Sequence, residues 1–170
     1  MGRRGGFAHN YDAAATRRFL DDGAAVDELG ADISAALTLI EATIDRLADD
    51  LVTSHGLHAD VARLLVTQRT ADSVDFLRWV KAGEARAAGV PIRGLMDALG
   101  YASPTSISRQ VAAIDHVATV RTRVDATGEP EDVFDDRGYT LALHPRHNAK
   151  ETVAQARKRG WLPADLSLSD

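Results

Sequence analysis

Residues 103–109 concentrate side chains that can hydrogen-bond to phosphates and to base edges. Four hydroxyls and one guanidinium occur there, on Ser103, Thr105, Ser106, Ser108 and Arg109. Such groups bind nucleic acid, and short side chains let a backbone come close to the floor of a groove. Ser103 is a favourable helix N-cap and Pro104 suits a first helical position. The pattern therefore predicts a helix over 104–115 that presents these groups outward.

The elements around this helix predict how it is held. Ile107, Val111 and Ile114 are spaced 4 and 3 apart, which gives the helix an apolar inner face. A shorter helix over 91–99 precedes it, and Gly100 lies where the chain must turn sharply, in a left-handed conformation. This layout is that of a helix-turn-helix over 91–115. The alternative is a pair of packed helices without a nucleic-acid role.

The segment after the second helix predicts a β-hairpin over 117–144. Apolar and polar residues alternate over 118–124, with Arg121 and Arg123 on the outer face of a first strand. Residues 125–136 then form a turn region, and alternation resumes over 137–143. A helix-turn-helix followed by a hairpin is a winged helix, so these arginines become candidate DNA contacts.

The run Asp135-Asp136-Arg137-Gly138-Tyr139-Thr140-Leu141-Ala142-Leu143 resembles the wing of MarR-type transcriptional regulators. The resemblance covers roughly residues 74–145. It implies a homodimer that binds pseudo-palindromic DNA, with helix 104–115 as the recognition helix. It also implies that Arg137 matches the wing-tip arginine that reaches a minor groove. A small-molecule or protein effector is compatible with the family, but no residue here identifies one.

A long helix over about 29–52 carries a regular apolar seam. Its members are spaced 4, 3, 4, 3 and 4 apart: Ile33, Leu37, Ile40, Ile44, Leu47 and Leu51. This is the spacing of helices that pack along a seam. A dimer interface and intramolecular bundle packing explain it equally well. Two further helices are predicted, over 57–69 and 71–88, the second capped by Thr70 or Asp72.

The net charge of −5 is unevenly distributed. Residues 21–50 sum to −8 and residues 125–136 to −6, whereas residues 76–124 sum to +4. The positive stretch permits local binding to nucleic acid. The two negative stretches support an alternative function, a non-catalytic protein-interaction module that uses the acidic helix 29–52 and the acidic loop 125–136.

Several chemistries are disfavoured by composition and spacing. The chain has no cysteine, which excludes a disulfide framework, a thiolate zinc site and a cysteine nucleophile. Two histidine pairs, at 55 and 58 and at 144 and 147, lack the further ligands a metal requires. Adjacent Asp135 and Asp136 point to opposite faces of an extended chain, so paired acid–base catalysis is not expected. We expect no enzyme activity, cofactor or metal.

These observations predict a mainly α chain with a small β-hairpin, as a winged helix-turn-helix with a long N-terminal dimerisation helix. Residues 1–28 are expected to form an arm with a short helix over 11–21, and residues 29–170 a single domain that ends in a helix over 148–159. No apolar run could span a bilayer and no signal-peptide pattern occurs, which favours a cytoplasmic protein. The predicted function is sequence-specific binding to double-stranded DNA, most simply as a repressor.

Overall fold

The computed structural model describes residues 11–146. Helices make up 74% of the described residues, and one small antiparallel sheet is present. This confirms the predicted mainly α class with a small β-hairpin. The elements are α1 (Ala13–Asp21), α2 (Gly23–His55), α3 (Ala59–Ala87), α4 (Ile92–Leu99), α5 (Pro104–Ser108), α6 (Val111–Thr127), β1 (Glu131–Phe134) and β2 (Thr140–Leu143). The predicted arm over residues 1–10 and the predicted helix over 148–159 lie outside the described residues.

The chain forms two compact units. One comprises Asp12–Phe76, and the other comprises Tyr11 and the described chain from Leu77 onward. Helix α3 contributes to both units. The predicted boundary between residues 28 and 29 falls inside α2, which is continuous from Gly23.

In the unit Asp12–Phe76, α2 and α3 pack through small side chains. Ala48, Ala62 and Val66 form its buried core, and Ile44 and Leu51 are among the partly buried residues around them. Gly56 ends α2 in a left-handed conformation, with φ 66°, and its amide donates to the carbonyl of Val52 at 2.9 Å.

Helix α3 corrects the prediction of two helices over 57–69 and 71–88. It runs unbroken for 29 residues through the expected junction. The Thr70 hydroxyl donates to the carbonyl of Val66 at 2.9 Å, and the Ser73 hydroxyl donates to the carbonyl of Thr70 at 2.7 Å. Both hydroxyls bond to carbonyls of the same continuous helix, so neither residue acts as a helix cap.

The second unit is built around the end of α3. Its core joins residues of α3, α4, α5 and α6: Trp79, Ala82, Leu95, Met96, Ile107 and Ile114. Gly83 permits close approach of α6, because a Cβ at this position would lie 2.4 Å from Cβ of Val117 and 2.9 Å from the carbonyl oxygen of Ile114. The absence of a side chain at residue 83 therefore sets the spacing of α3 and α6.

Residues 118–124 belong to α6, so the predicted first wing strand is wrong. The sequence of this segment fits both the two-residue period of a strand and the period of a helix. In the structure it is a helix, with Val117, Val120 and Val124 buried together with Ile114 on one face. The outward Thr119 and Thr122 hydroxyls donate to the carbonyls of the fourth residue before each, at 2.9 and 2.8 Å. Burial of a continuous helical face outweighs the strand preference of β-branched residues.

The hairpin exists, but it begins later than predicted. β1 lies inside the expected turn region 125–136 and pairs with β2 so that Glu131 faces Leu143 and Phe134 faces Thr140. Val133 and Leu143 are buried, and β1 packs against α6. The second strand falls within the predicted 137–143, whereas the first is shifted because α6 extends to Thr127.

Candidate nucleic-acid interface

The connection from α4 to α5 has the predicted backbone geometry. Gly100 ends α4 with φ 71°, a conformation that side-chain-bearing residues rarely adopt. The amide of Tyr101 donates to the carbonyl of Met96 at 2.9 Å, and the Tyr101 ring stacks on Trp79 with ring centroids 6.3 Å apart. Ser103 is the N-cap residue of α5, and Pro104 is its first residue. The turn is thus tied to the core through Tyr101.

Helix α5 has the two faces that the sequence predicts. Ile107 is 1% exposed and anchors its inner side. Of the contact residues predicted within 103–109, Ser103 is half-buried and the others are exposed, namely Thr105, Ser106, Ser108 and Arg109. The Ser103 and Ser106 hydroxyl oxygens lie 3.3 Å apart, and the Ser108 hydroxyl donates to the carbonyl of Thr105 at 2.9 Å. The hydroxyls therefore form one polar surface at the start of the helix.

The helix predicted over 104–115 is interrupted. α5 ends at Ser108, Arg109 and Gln110 form a turn, and α6 begins at Val111. The amide of Gln110 donates to the carbonyl of Ile107 at 2.8 Å, a tight bond to the third residue back. Arg109 consequently lies at a corner of the chain.

Arg109 differs from neighbouring arginines in its electrostatic surroundings. In the described part of the chain it has no ion pair. Two other arginines of the same unit do have partners: the half-buried Arg86 lies 3.5 Å from Asp115, and the exposed Arg93 lies 3.4 Å from Asp97. Its positive charge is therefore available to an external anion beside the hydroxyls of α5.

Arg121 was predicted on the outer face of a strand, and the structure corrects this. It is 3% exposed and bonds to three groups: the carboxylates of Glu84 and Asp125 and the carbonyl of His144. Its Nε has no hydrogen-bond partner among residues 11–146. Because the guanidinium is enclosed between α3, α6 and the end of β2, it cannot reach a duplex.

Glu84 and Asp125 complete this buried ionic cluster. Glu84 also accepts from Lys81 at 2.7 Å, and Asp125 accepts from the Arg146 guanidinium at 2.7 and 3.0 Å. Burial raises the pKa of Glu84, but the hydrogen bonds from Lys81 and Arg121 outweigh it and hold the pKa below its ordinary value. Sequence reasoning missed this cluster, although Arg121 and Asp125 have the four-residue spacing of a helical ion pair.

Arg123 is exposed but its charge is matched. Its guanidinium donates to the two carboxylate oxygens of Glu131 at 2.7 and 2.5 Å. The hydrogen bond from Arg123 holds the pKa of Glu131 below its usual range. This pair ties α6 to β1, so Arg123 is oriented toward the hairpin.

Arg137 lies at the hairpin turn, where the family resemblance puts an arginine. Its Nε donates to Asp135 at 2.7 Å, and its guanidinium lies 5.6 Å from the centre of the Tyr139 ring. The same Asp135 carboxylate accepts from the amides of Arg137 and Tyr139, and Gly138 has φ 88°. The turn is therefore organised by one carboxylate, which also reduces the net charge at the tip.

The predicted dimer seam is split by the fold. Ile44 and Leu51 pack against α3 within the chain, as the bundle interpretation predicts. Ile33 and Leu37 remain 56% and 55% exposed, and Ile40 and Leu47 are exposed as well. Intramolecular packing therefore accounts for only part of the seam.

No family model, curated protein or solved structure matches this chain. Within residues 11–146, no three potential metal ligands come together. His55, His58 and His144 are exposed, and His147 lies outside the described residues. No helix in the described range is long and apolar enough to cross a bilayer.

Proposed function

We propose that the protein is a sequence-specific DNA-binding transcriptional regulator that acts as a homodimer, most simply as a repressor. One observation carries the proposal: α5 presents exposed hydroxyls, Ile107 anchors it beneath, and the exposed Arg109, which has no ion pair among the described residues, follows directly in the turn. In this proposal α4, the Gly100 turn and α5 form a helix-turn-helix, and the β1–β2 hairpin is its wing. The MarR-type resemblance of residues 135–143 agrees with this assignment.

The chemistry of α5 suits a major groove. Thr105, Ser106 and Ser108 are short enough to let the helix backbone approach the bases. Arg109 supplies a guanidinium for a phosphate or a guanine edge. The nearest carboxylates on either side in sequence, Asp97 and Asp115, form ion pairs with Arg93 and Arg86. We therefore assign specificity to residues 103–109.

The contact set is smaller than the sequence predicts. Arg121 is buried and Arg123 is bound to Glu131, so neither belongs to it. Arg137 remains, although Asp135 shares its charge. Exposed carboxylates at Glu129, Asp132 and Asp136 make the hairpin a weak partner for phosphates. Affinity then depends mainly on α5, with a secondary contribution from the turn of the hairpin.

The test begins with selection of bound sequences from a randomised duplex library, followed by titration of the enriched duplex. Arg109→Ala should weaken specific binding by about 1–3 kcal/mol, or about 5- to 150-fold. Arg123→Ala removes the same formal charge from the same unit and serves as the matched control, with little expected change. Failure to enrich any sequence, or equal binding by the Arg109→Ala variant, would overturn the proposal.

A second function is favoured by a separate observation. The acidic helix α2 carries exposed apolar residues, and Phe134 on the acidic hairpin is 71% exposed. This combination fits a non-catalytic protein-interaction module that binds a basic, amphipathic partner. Binding of a lysine-rich helical peptide together with no enrichment of any duplex would favour this function over the first.

A further inference from the structure

The exposed part of α2 has an unusual symmetry. Five apolar residues lie along one side of its first half, at Val26, Leu29, Ile33, Leu37 and Ile40, and each is exposed. Their spacings are 3, 4, 4 and 3, which read the same in both directions about Ile33. With 3.6 residues per turn they fall within an arc of about 80° and extend about 21 Å along the helix. We call this set the α2 stripe.

We propose that the α2 stripe pairs with the α2 stripe of a second copy of this chain, antiparallel, about a two-fold axis at Ile33. In this arrangement Val26 faces the partner's Ile40, Leu29 faces the partner's Leu37, and Ile33 faces itself. A two-fold interface uses the same patch on both subunits, so a palindromic spacing lets every apolar residue meet another. The inference rests on the homodimer of the proposed function and defines its geometry.

The residues beside the stripe permit close approach. Ala25, Gly30, Ala36 and Thr43 lie immediately next to it on the helix surface and are small. The antiparallel register puts Gly30 at the same level along the helices as the partner's Ala36. The carboxylates nearest the stripe, on Asp32 and Glu41, lie about 80–100° from its centre and so remain at the edge of the contact.

Charge distribution selects the antiparallel orientation over the parallel one. The densest acidic stretch of α2 lies at its start, where residues 21–28 contain four carboxylates. Parallel pairing would bring the two copies of this stretch together, whereas antiparallel pairing moves them to opposite ends. In the antiparallel register each of these stretches lies level with residues 38–45 of the partner, which contain only two carboxylates. Antiparallel helix dipoles add a further favourable contribution.

Sedimentation velocity of the full chain without DNA tests the association. Ile33→Glu puts two carboxylates at the two-fold axis and should raise the dimer dissociation constant at least about tenfold. Leu39→Glu is the matched control, because Leu39 is 73% exposed and lies off the stripe. Its dissociation constant should change little. Circular dichroism should show unchanged helix content in both variants, since neither side chain is buried.

Disulfide trapping tests the orientation, since the chain has no cysteine of its own. Val26→Cys and Ile40→Cys chains, one of them carrying a mass tag, are mixed and oxidised. Antiparallel pairing predicts the mixed 26–40 disulfide, because only facing residues come within bonding distance. Predominant like-with-like disulfides would overturn the orientation, and a monomeric parent chain would overturn the pairing itself.

The outcomes separate this inference from the proposed function. Dimers that show the predicted variant effects but bind no duplex would leave the pairing standing and remove DNA binding. Monomers that bind an enriched duplex through Arg109 would leave DNA binding standing and remove the α2 pairing. Dimerisation should strengthen as salt rises, because residues 21–50 of each copy sum to −8, whereas DNA binding should weaken.

Discussion

Replacing Arg121 by methionine should destabilise the protein without removing a DNA contact. The guanidinium is 3% exposed and bonds to Glu84, Asp125 and the His144 carbonyl. Removing one partner of a buried ion pair costs about 3–5 kcal/mol, because the remaining charge is left in an apolar environment. Here Glu84 keeps Lys81 and Asp125 keeps Arg146, so the loss should lie at the lower end, about 3 kcal/mol.

Urea unfolding at neutral pH measures this loss. Trp79 lies in the core of the same unit, so its fluorescence reports the unfolding of that unit. Trp161→Phe in every protein compared leaves Trp79 as the single tryptophan. Arg123→Met is the matched control two residues away; its exposed pair with Glu131 should contribute no more than about 1 kcal/mol.

The reasoning would be refuted by either of two results. Equal free energies of unfolding for Arg121→Met and Arg123→Met would mean that burial of the cluster contributes nothing. Loss of duplex affinity in Arg121→Met at a temperature where the variant remains folded would mean that Arg121 reaches DNA after all. Retained affinity with reduced stability is the expected combination.

Two further predictions concern packing and pH. Gly83→Ala should cost about 1–3 kcal/mol, because the new methyl group would overlap Val117 of α6, and a urea midpoint equal to that of the parent would contradict this. Acid should destabilise the protein. Burial raises the pKa of Glu84 and of Asp135, but hydrogen bonds outweigh it and hold both pKa values below their ordinary values. Glu84 accepts such bonds from Lys81 and Arg121, and Asp135 accepts them from Arg137 and from the backbone. The unfolded chain therefore binds more protons, so this stability is fully present above about pH 5, beyond the unfolded pKa values, and it declines as pH falls through the folded pKa values. Urea midpoints across the acid range should show this, with a shallower decline in Glu84→Gln.

The candidate site was largely predictable where local rules decide the structure. Ser103 and Pro104 occupy the N-cap and the first position of α5 as predicted, although the Ser103 side chain makes no capping hydrogen bond, and Gly100 adopts the left-handed turn. The buried side of Ile107 and the exposed hydroxyls follow from helical spacing over a few residues. These features depend on neighbours within one or two turns, so the sequence contains nearly all the information they need.

The segment from residue 118 through the hairpin shows where such rules fail. Residues 118–124 fit both a strand and a helix, and only contact with α3 and the hairpin selects the helix that buries Val120 and Val124. That choice turns Arg121 inward, away from any duplex, and moves the first strand to Glu131–Phe134.

The sequence by itself determined the mainly helical class, the α4–α5 connection with its two faces, and the regular apolar seam on α2. Only the tertiary structure decided which arginines are available and which half of the seam is covered. Both depend on partners distant in sequence: Glu84 lies 37 residues from Arg121, and Ala62 and Val66 approach Ile44 from another helix. Periodicity assigns a side chain to a face, but the elements packed against that face decide whether it is buried, paired or free to bind.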